Sequence, residues 1–175
     1  MLLALLAAPA MAQTCPKGPD KAPERAAIIA DMQAAKTQKA ASALMTAFWM
    51  NQMRAPDVRA QALLNAATAQ RDQGDLAAAR DTLTGLIADC PDFTEAYNQR
   101  SFVEFLASEN KAALADANHV LAVAPDHLGA LAGKALVLMR IGRTAEGQQV
   151  LRRAVQLDPW LPERRLLTGP SAKKP

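Results

Sequence analysis

Residues 91–127, PDFTEAYNQRSFVEFLASENKAALADANHVLAVAPDH, begin with and nearly end on the same dipeptide. Pro91-Asp92 and Pro125-Asp126 lie 34 residues apart, and Pro159 follows after another 34. Each proline closes an amphipathic stretch rich in Ala and Leu: Leu76 to Cys90, Lys111 to Ala124 and Thr144 to Asp158. Proline ends a helix because it disfavours helical geometry in the residue before it. Pro56-Asp57 lies one near-period upstream. A fixed period of this length marks a repeat architecture, in which each unit buries its apolar face only against its neighbours. Composition agrees. Half of the 175 residues are apolar, Ala and Leu dominate, and aromatics make up 4%. Ala and Leu are strong helix formers, so the chain reads as all-α, one domain or one short array.

With the proline as the thirty-second position of each 34-residue unit, three units result: 60–93, 94–127 and 128–161. Small residues fall at the eighth position of each unit (Ala67, Ser101, Ala135). Gly74 and Gly142 fall at the inter-helix turn, with Ser108 in the third instance, and Ala79, Ala113 and Gly147 share the twentieth position. This pattern resembles the tetratricopeptide-repeat family. The resemblance implies a right-handed α-solenoid of helix-turn-helix repeats, its first helices lining a concave face. Residues 23–57 then form N-terminal cap helices or a degenerate repeat, with an apolar cluster at Leu44, Met45, Phe48, Trp49 and Met53. Residues 58–167 hold the three repeats plus a capping stub, 13–22 an extended segment, and 168–175 a disordered tail.

The resemblance also implies which side chains face the groove. The first unit offers Gln61, Leu64, Thr68 and Arg71; the second Glu95, Asn98, Phe102 and Phe105; the third Gly129, Ala132, Leu136 and Met139. The groove runs from a polar end to an apolar one, which suits a peptide or an amphipathic partner helix, with Asn98 placed to bond the partner's backbone. A Phe and Met stripe at helical spacing is also an ordinary core, and the cap helices carrying Phe48 and Trp49 would fill the groove by folding against it. A basic clamp for a C-terminal carboxylate, as in chaperone-binding members of the family, is absent: its places hold Leu64, Thr68, Gln99, Gly129 and Gly133.

Charge and termini set the context. Lys and Arg number 20 against 17 Asp and Glu, spread evenly, with no basic stripe of the kind nucleic acid requires. Leu2 to Ala8 is an uncharged apolar run followed by Ala10-Met11-Ala12, an A-x-A pattern that predicts export and cleavage after Ala12. No Lys or Arg precedes the run, so either the start lies upstream or the signal is atypical; a frayed hydrophobic helix end is the plainer alternative. The run is too short to span a bilayer, which takes about 20 apolar residues, so no integral membrane segment is expected after removal, and the location reads as periplasmic or secreted. In an oxidising compartment Cys15 and Cys90 are an even pair fit for a disulfide; the alternative is a buried Cys90 with Cys15 in a disordered segment. Neither has a CxxC partner, and Cys15, Cys90, His119 and His127 lack metal-ligand spacing.

Glu104 and Glu109 read as carboxylates with no partner carboxylate or base for acid–base work, His127 as a turn residue, and Arg152-Arg153 and Arg164-Arg165 as pairs that complement helix C-terminal dipoles or sit in water. No cofactor or catalytic constellation is expected. The expected function is a non-catalytic interaction scaffold of the cell envelope, holding a protein or peptide in the concave groove. The alternative is a structural subunit with a self-filled groove that docks through its convex or C-terminal face. The short stub leaves the last helix open to self-association through that face.

Overall fold

The computed structural model describes residues 15–169; the proposed signal and its cleavage site, and the tail beyond 169, lie outside them. The described residues form α1 (Ala22–Ala34), α2 (Gln38–Gln52), α3 (Val58–Asp72), α4 (Leu76–Asp89), α5 (Thr94–Leu106), α6 (Asn110–Val123), α7 (Leu128–Arg140) and α8 (Thr144–Leu157), then a short 3-10 helix over Pro162–Leu166. No helix among them is long and apolar enough to cross a membrane.

Local chemistry sets the helix starts. Asp57, Asp75 and Thr37 accept from the backbone N–H three residues on, at 2.7, 3.0 and 3.2 Å, satisfying donors that a helix N-terminus leaves orphaned. The turns inside the three pairs α3/α4, α5/α6 and α7/α8 are built alike. Gly74, Ser108 and Gly142 take left-handed φ of 84°, 64° and 82°. Around each, the same three backbone bonds close the first helix: Gln73→Ala69, Gly74→Arg71 and Asp75→Gln70, repeated 34 and 68 residues later. Glycine enters the left-handed region freely, whereas Ser108 carries a Cβ penalty there.

Helix crossing follows from small residues. A Cβ on Gly147 would lie 2.8 Å from the Ala135 carbonyl and 2.7 Å from Met139 Cγ, so α7 and α8 touch almost backbone to backbone. In the middle pair the Ser101 hydroxyl donates to the Ala113 carbonyl at 2.8 Å, bridging α5 and α6 at the same crossing. The pairs stack in order, α4 on α5 and α6 on α7. One apolar cluster joins Leu64, Leu83, Leu86, Phe93 and Val103, and a second joins Leu131, Ala135, Leu151 and Val155.

The N-terminal hairpin α1/α2 does not simply lengthen this stack. It runs along the side of the array where α5 and α7 begin, and α1 packs on α8. Arg25 pairs with Asp126 at 2.8 Å, Gln33 donates to the Gln156 carbonyl at 2.9 Å, and the Trp160 indole N–H donates to the Ala35 carbonyl at 3.2 Å. Phe48 and Met32, both fully buried, form a third cluster with Ile28, Ile29 and Leu128. At its root the hairpin is fastened to the first repeat by the Cys15–Cys90 disulfide, with Cα atoms 5.0 Å apart, and Lys21 donates to the Gln52 carbonyl. The last helix is therefore covered by α1 on one side. On the other, Gln148 donates to the Leu166 carbonyl and accepts from Thr168 N–H, both at 2.8 Å. The C-terminal face is less open than the short stub alone implies.

Candidate functional site

The concave face holds a pocket of about 570 Å³ between α3, α5 and α7 on one side and Trp49 and Met53 of the hairpin on the other. Its walls are mainly apolar: Phe102, Phe105, Ala132, Leu136 and Val137, with Gly133 leaving open space beside them. Thr68, Arg71, Asn98, Gln99 and Ser101 add polar groups, and the carboxylates Asp72 and Glu163 stand among the lining residues. Arg71 lies over the Phe102 ring at 5.4 Å, and Arg140 over Phe105 at 3.5 Å, so both aromatic walls are held by cation–π contacts.

Beneath this lining is a buried polar network. Glu95, 1% exposed, accepts from Asn98 Nδ2 at 2.9 Å and Gln99 Nε2 at 2.7 Å on one oxygen, and meets His127 Nε2 at 2.9 Å on the other. The other His127 nitrogen, Nδ1, accepts from Ala130 N–H at the start of α7. The ring proton therefore sits on Nε2 and is donated to Glu95. Gln99 Oε1 accepts in turn from Arg71 at 2.7 Å. Burial by itself pushes the Glu95 carboxyl up; the bonds from His127, Gln99 and Asn98 outweigh it and hold the group below the ordinary carboxylate range. Phe48 and Trp49 pack edge-on to the His127 ring, so the hairpin seals the network from water.

Thr68, Arg71, Asn98, Phe102, Phe105 and Leu136 come together in the pocket, with Gly129 and Ala132. The other four expected groove residues do not. Leu64 is fully buried in the first-repeat core, because Met53 and Ala55 pack on that cluster as the chain enters α3. Gln61 is turned to the same entry, accepting from Ala55 N–H and donating to Asn65. Glu95 lies beneath the floor, and Met139 is held between α7 and α8 by the missing Cβ of Gly147 and a contact from Gln148. His127, read as a turn residue, does follow the Pro125-Asp126 turn, and there it is the fully buried N-cap of α7. Glu104 lies 4.0 Å from Arg100, whose closer partner is Asp116 at 2.7 Å. Burial and then the Asp116 charge raise its carboxyl to about 7.

The sequence singled out Trp49 but not its seat. The indole stands directly over Gly129, where a Cβ would lie 2.5 Å from a ring carbon. A groove position occupied by glycine on a helix was the available signal. The hairpin thus fills one end of the concave face, at Leu128 and Gly129, and leaves the Phe102–Phe105–Leu136 end open.

No protein-family model matches the chain. A TPR repeat-containing protein of Rhizobium etli is 38% identical over 65 residues, which are 37% of this chain. The chain spans about a third (32%) of that curated relative's length. Among solved structures, the first TPR domain of Spaghetti (RPAP3), bound to the HSP90 peptide SRMEEVD, superposes with a TM-score of 0.56 at 19% identity, covering 57% of this chain and 79% of that one. MamA from Desulfovibrio magneticus RS-1 gives 0.54 at 19% identity over 82% and 78%. A tetratricopeptide repeat protein from Parabacteroides merdae gives 0.56 at 20% identity over 85% and 57%. At these identities what is shared is the fold.

Proposed function

Since the chain is a solenoid of tetratricopeptide-type repeats, we propose that it is a non-catalytic scaffold that holds a protein or peptide partner in the open end of its concave groove. The observation that carries this reading is the apolar pocket at Phe102, Phe105 and Leu136. Phe102 is 44% exposed although it stands on a helix whose opposite face is core. Exposed apolar surface in a concave site is where partners bind. Asn98 commits its Nδ2 to Glu95, so Oδ1 is the atom it offers to a partner's backbone N–H.

The HSP90 peptide of the structural neighbour is not a good guide to the ligand. A terminal-carboxylate clamp needs basic and amide side chains where this chain has the buried Leu64, the Arg71-bound Gln99, and Gly129 and Gly133. The lining favours two or three apolar side chains of a partner segment. The Cys15–Cys90 disulfide supports an oxidising setting, periplasmic or secreted, in line with the apolar run and A-x-A pattern at the start of the sequence.

A second reading has its own support. The hairpin already fills the groove at Leu128 and Gly129, as it would in a structural subunit that docks through its convex or C-terminal face. A pull-down from envelope extract separates the two, with wild type compared against Phe102→Glu/Leu136→Glu after circular dichroism shows equal helicity. Loss of specific partners from the folded variant supports the groove; partners retained by it support the outer faces.

A further inference from the structure

We propose that the α1/α2 hairpin is a movable strap over the concave groove, locked by the Cys15–Cys90 disulfide and released when a dithiol reduces it. This rests on the groove reading above and concerns how that groove is opened. The strap is rooted at two places. On one side the chain runs from α2 into α3 through Met53 to Asp57, a short non-helical link containing Pro56. On the other, residues 15–21 carry no helix, and Pro16, Lys17, Pro19 and Asp20 are exposed. The disulfide and the Lys21 ammonium over the Phe93 ring bind that segment to the first repeat, while the Lys21 bond to the Gln52 carbonyl stays within the strap.

Between its roots the strap sits on the third repeat through the Trp49 seat at Gly129 and the Phe48–Leu128 contact, and on the end of the second through the Arg25–Asp126 pair. Fixing both roots keeps the hairpin at high effective concentration over that seat; freeing one lets it swing on the other. The lock is accessible. A small pocket of about 190 Å³ is lined by both cysteines together with Pro16, Arg59, Leu63 and Asp89, and Cys15 is the more exposed of the two. A dithiol's thiolate attacks Cys15 Sγ and the Sγ–Sγ bond breaks, with Cys90 leaving as a thiolate that takes up a proton. The second thiol then displaces Cys15 as a thiol, and the dithiol ends as a disulfide. With the strap displaced, the groove gains the Leu128–Gly129 end, and a longer partner segment fits.

Hydrogen exchange on the full chain, oxidised and then reduced with dithiothreitol after folding, tests this without any partner. An absent partner therefore cannot be mistaken for a fixed strap. Exchange across 22–52 is expected to speed up by about thirty-fold or more, the low end of what a disulfide contributes, while α5 and α6 keep their protection. Unchanged protection of 22–52, or loss of protection across the whole chain at once, overturns the proposal. Gly129→Ala with the disulfide intact is the second arm. On helix propensity alone it is favourable, so faster exchange confined to 38–52 assigns the seat, and unchanged exchange there overturns it.

Discussion

Glu95 accepts three hydrogen bonds on two oxygens in a site without water access, so its charge is worth keeping only while all three donors are aimed at it. A glutamine offers one oxygen, and its amide would point donor to donor at Asn98, Gln99 or His127. Glu95→Gln should therefore destabilise the protein at pH 7 by about 1–3 kcal/mol, the usual penalty for an orphaned buried donor, read as a lower urea midpoint. The sign of the pH effect follows from the depressed carboxyl. Its stabilisation is fully present above the ordinary value of 4.5 and is lost as pH falls through the lower folded value, so the gap between variant and wild type closes on acidification below 4.5. Glu104 behaves oppositely. Burial and Asp116 raise it to about 7, and its Oε2 has no hydrogen-bond partner. The cost builds as pH rises from the ordinary 4.5 to about 7 and is complete above that, so Glu104→Gln should raise the melting temperature at pH 8 more than at pH 5. Equal shifts at both pH values would mean the carboxyl does not titrate between them.

Among the elements, the crossing of α7 and α8 has the least room. Gly147→Ala drives a methyl group into the Ala135 carbonyl, which cannot move aside as a flexible side chain would. The expected loss is about 1–3 kcal/mol, seen as a lower denaturant midpoint with unchanged slope. Ser108→Gly should work the other way. The left-handed strain, about 1–2 kcal/mol, exceeds the extra chain entropy of glycine, about 0.5–1 kcal/mol, so a small rise in melting temperature is expected. These crossings and turns were legible in the sequence because they depend on residue types at fixed local spacing: proline at the ends, glycine at the turns, small residues at the contacts. The groove was half legible for the same reason. Register put Phe102, Phe105 and Leu136 on one face, where they line the pocket, but it assumed every unit faces the same surroundings. Leu64 is buried because Met53 and Ala55 cover its end of α3, and Met139 turns inward because Gly147 makes room for it. The hairpin's docking was legible only in part: Phe48 and Trp49 pointed to the groove, and they seat at Leu128 and Gly129, but its polar ties were not readable. Arg25 meets Asp126, and Trp160 meets Ala35, contacts separated by more than a hundred residues that no local period encodes.

Those long-range contacts change how the whole molecule holds together. In an open repeat array each unit feels only its neighbours, and a lesion at one end leaves the other end intact. Here the N-terminal hairpin is tied to the first repeat by the disulfide, to the end of the second by Arg25, and to the third by Met32, Phe48 and Gln33, so the ends of the described chain brace each other. Phe48→Ala tests this coupling. It empties a fully buried site and should cost about 3–5 kcal/mol. The decisive reading is where protection is lost. A braced molecule loses amide protection in α7 and α8, roughly 80–110 residues from the mutation, in the same transition as α1 and α2. An open array loses it in the hairpin and keeps α8 as in wild type. The first result would mean that groove and C-terminal face share one cooperative unit, so whatever displaces the hairpin also loosens the third repeat that walls the pocket with Leu136.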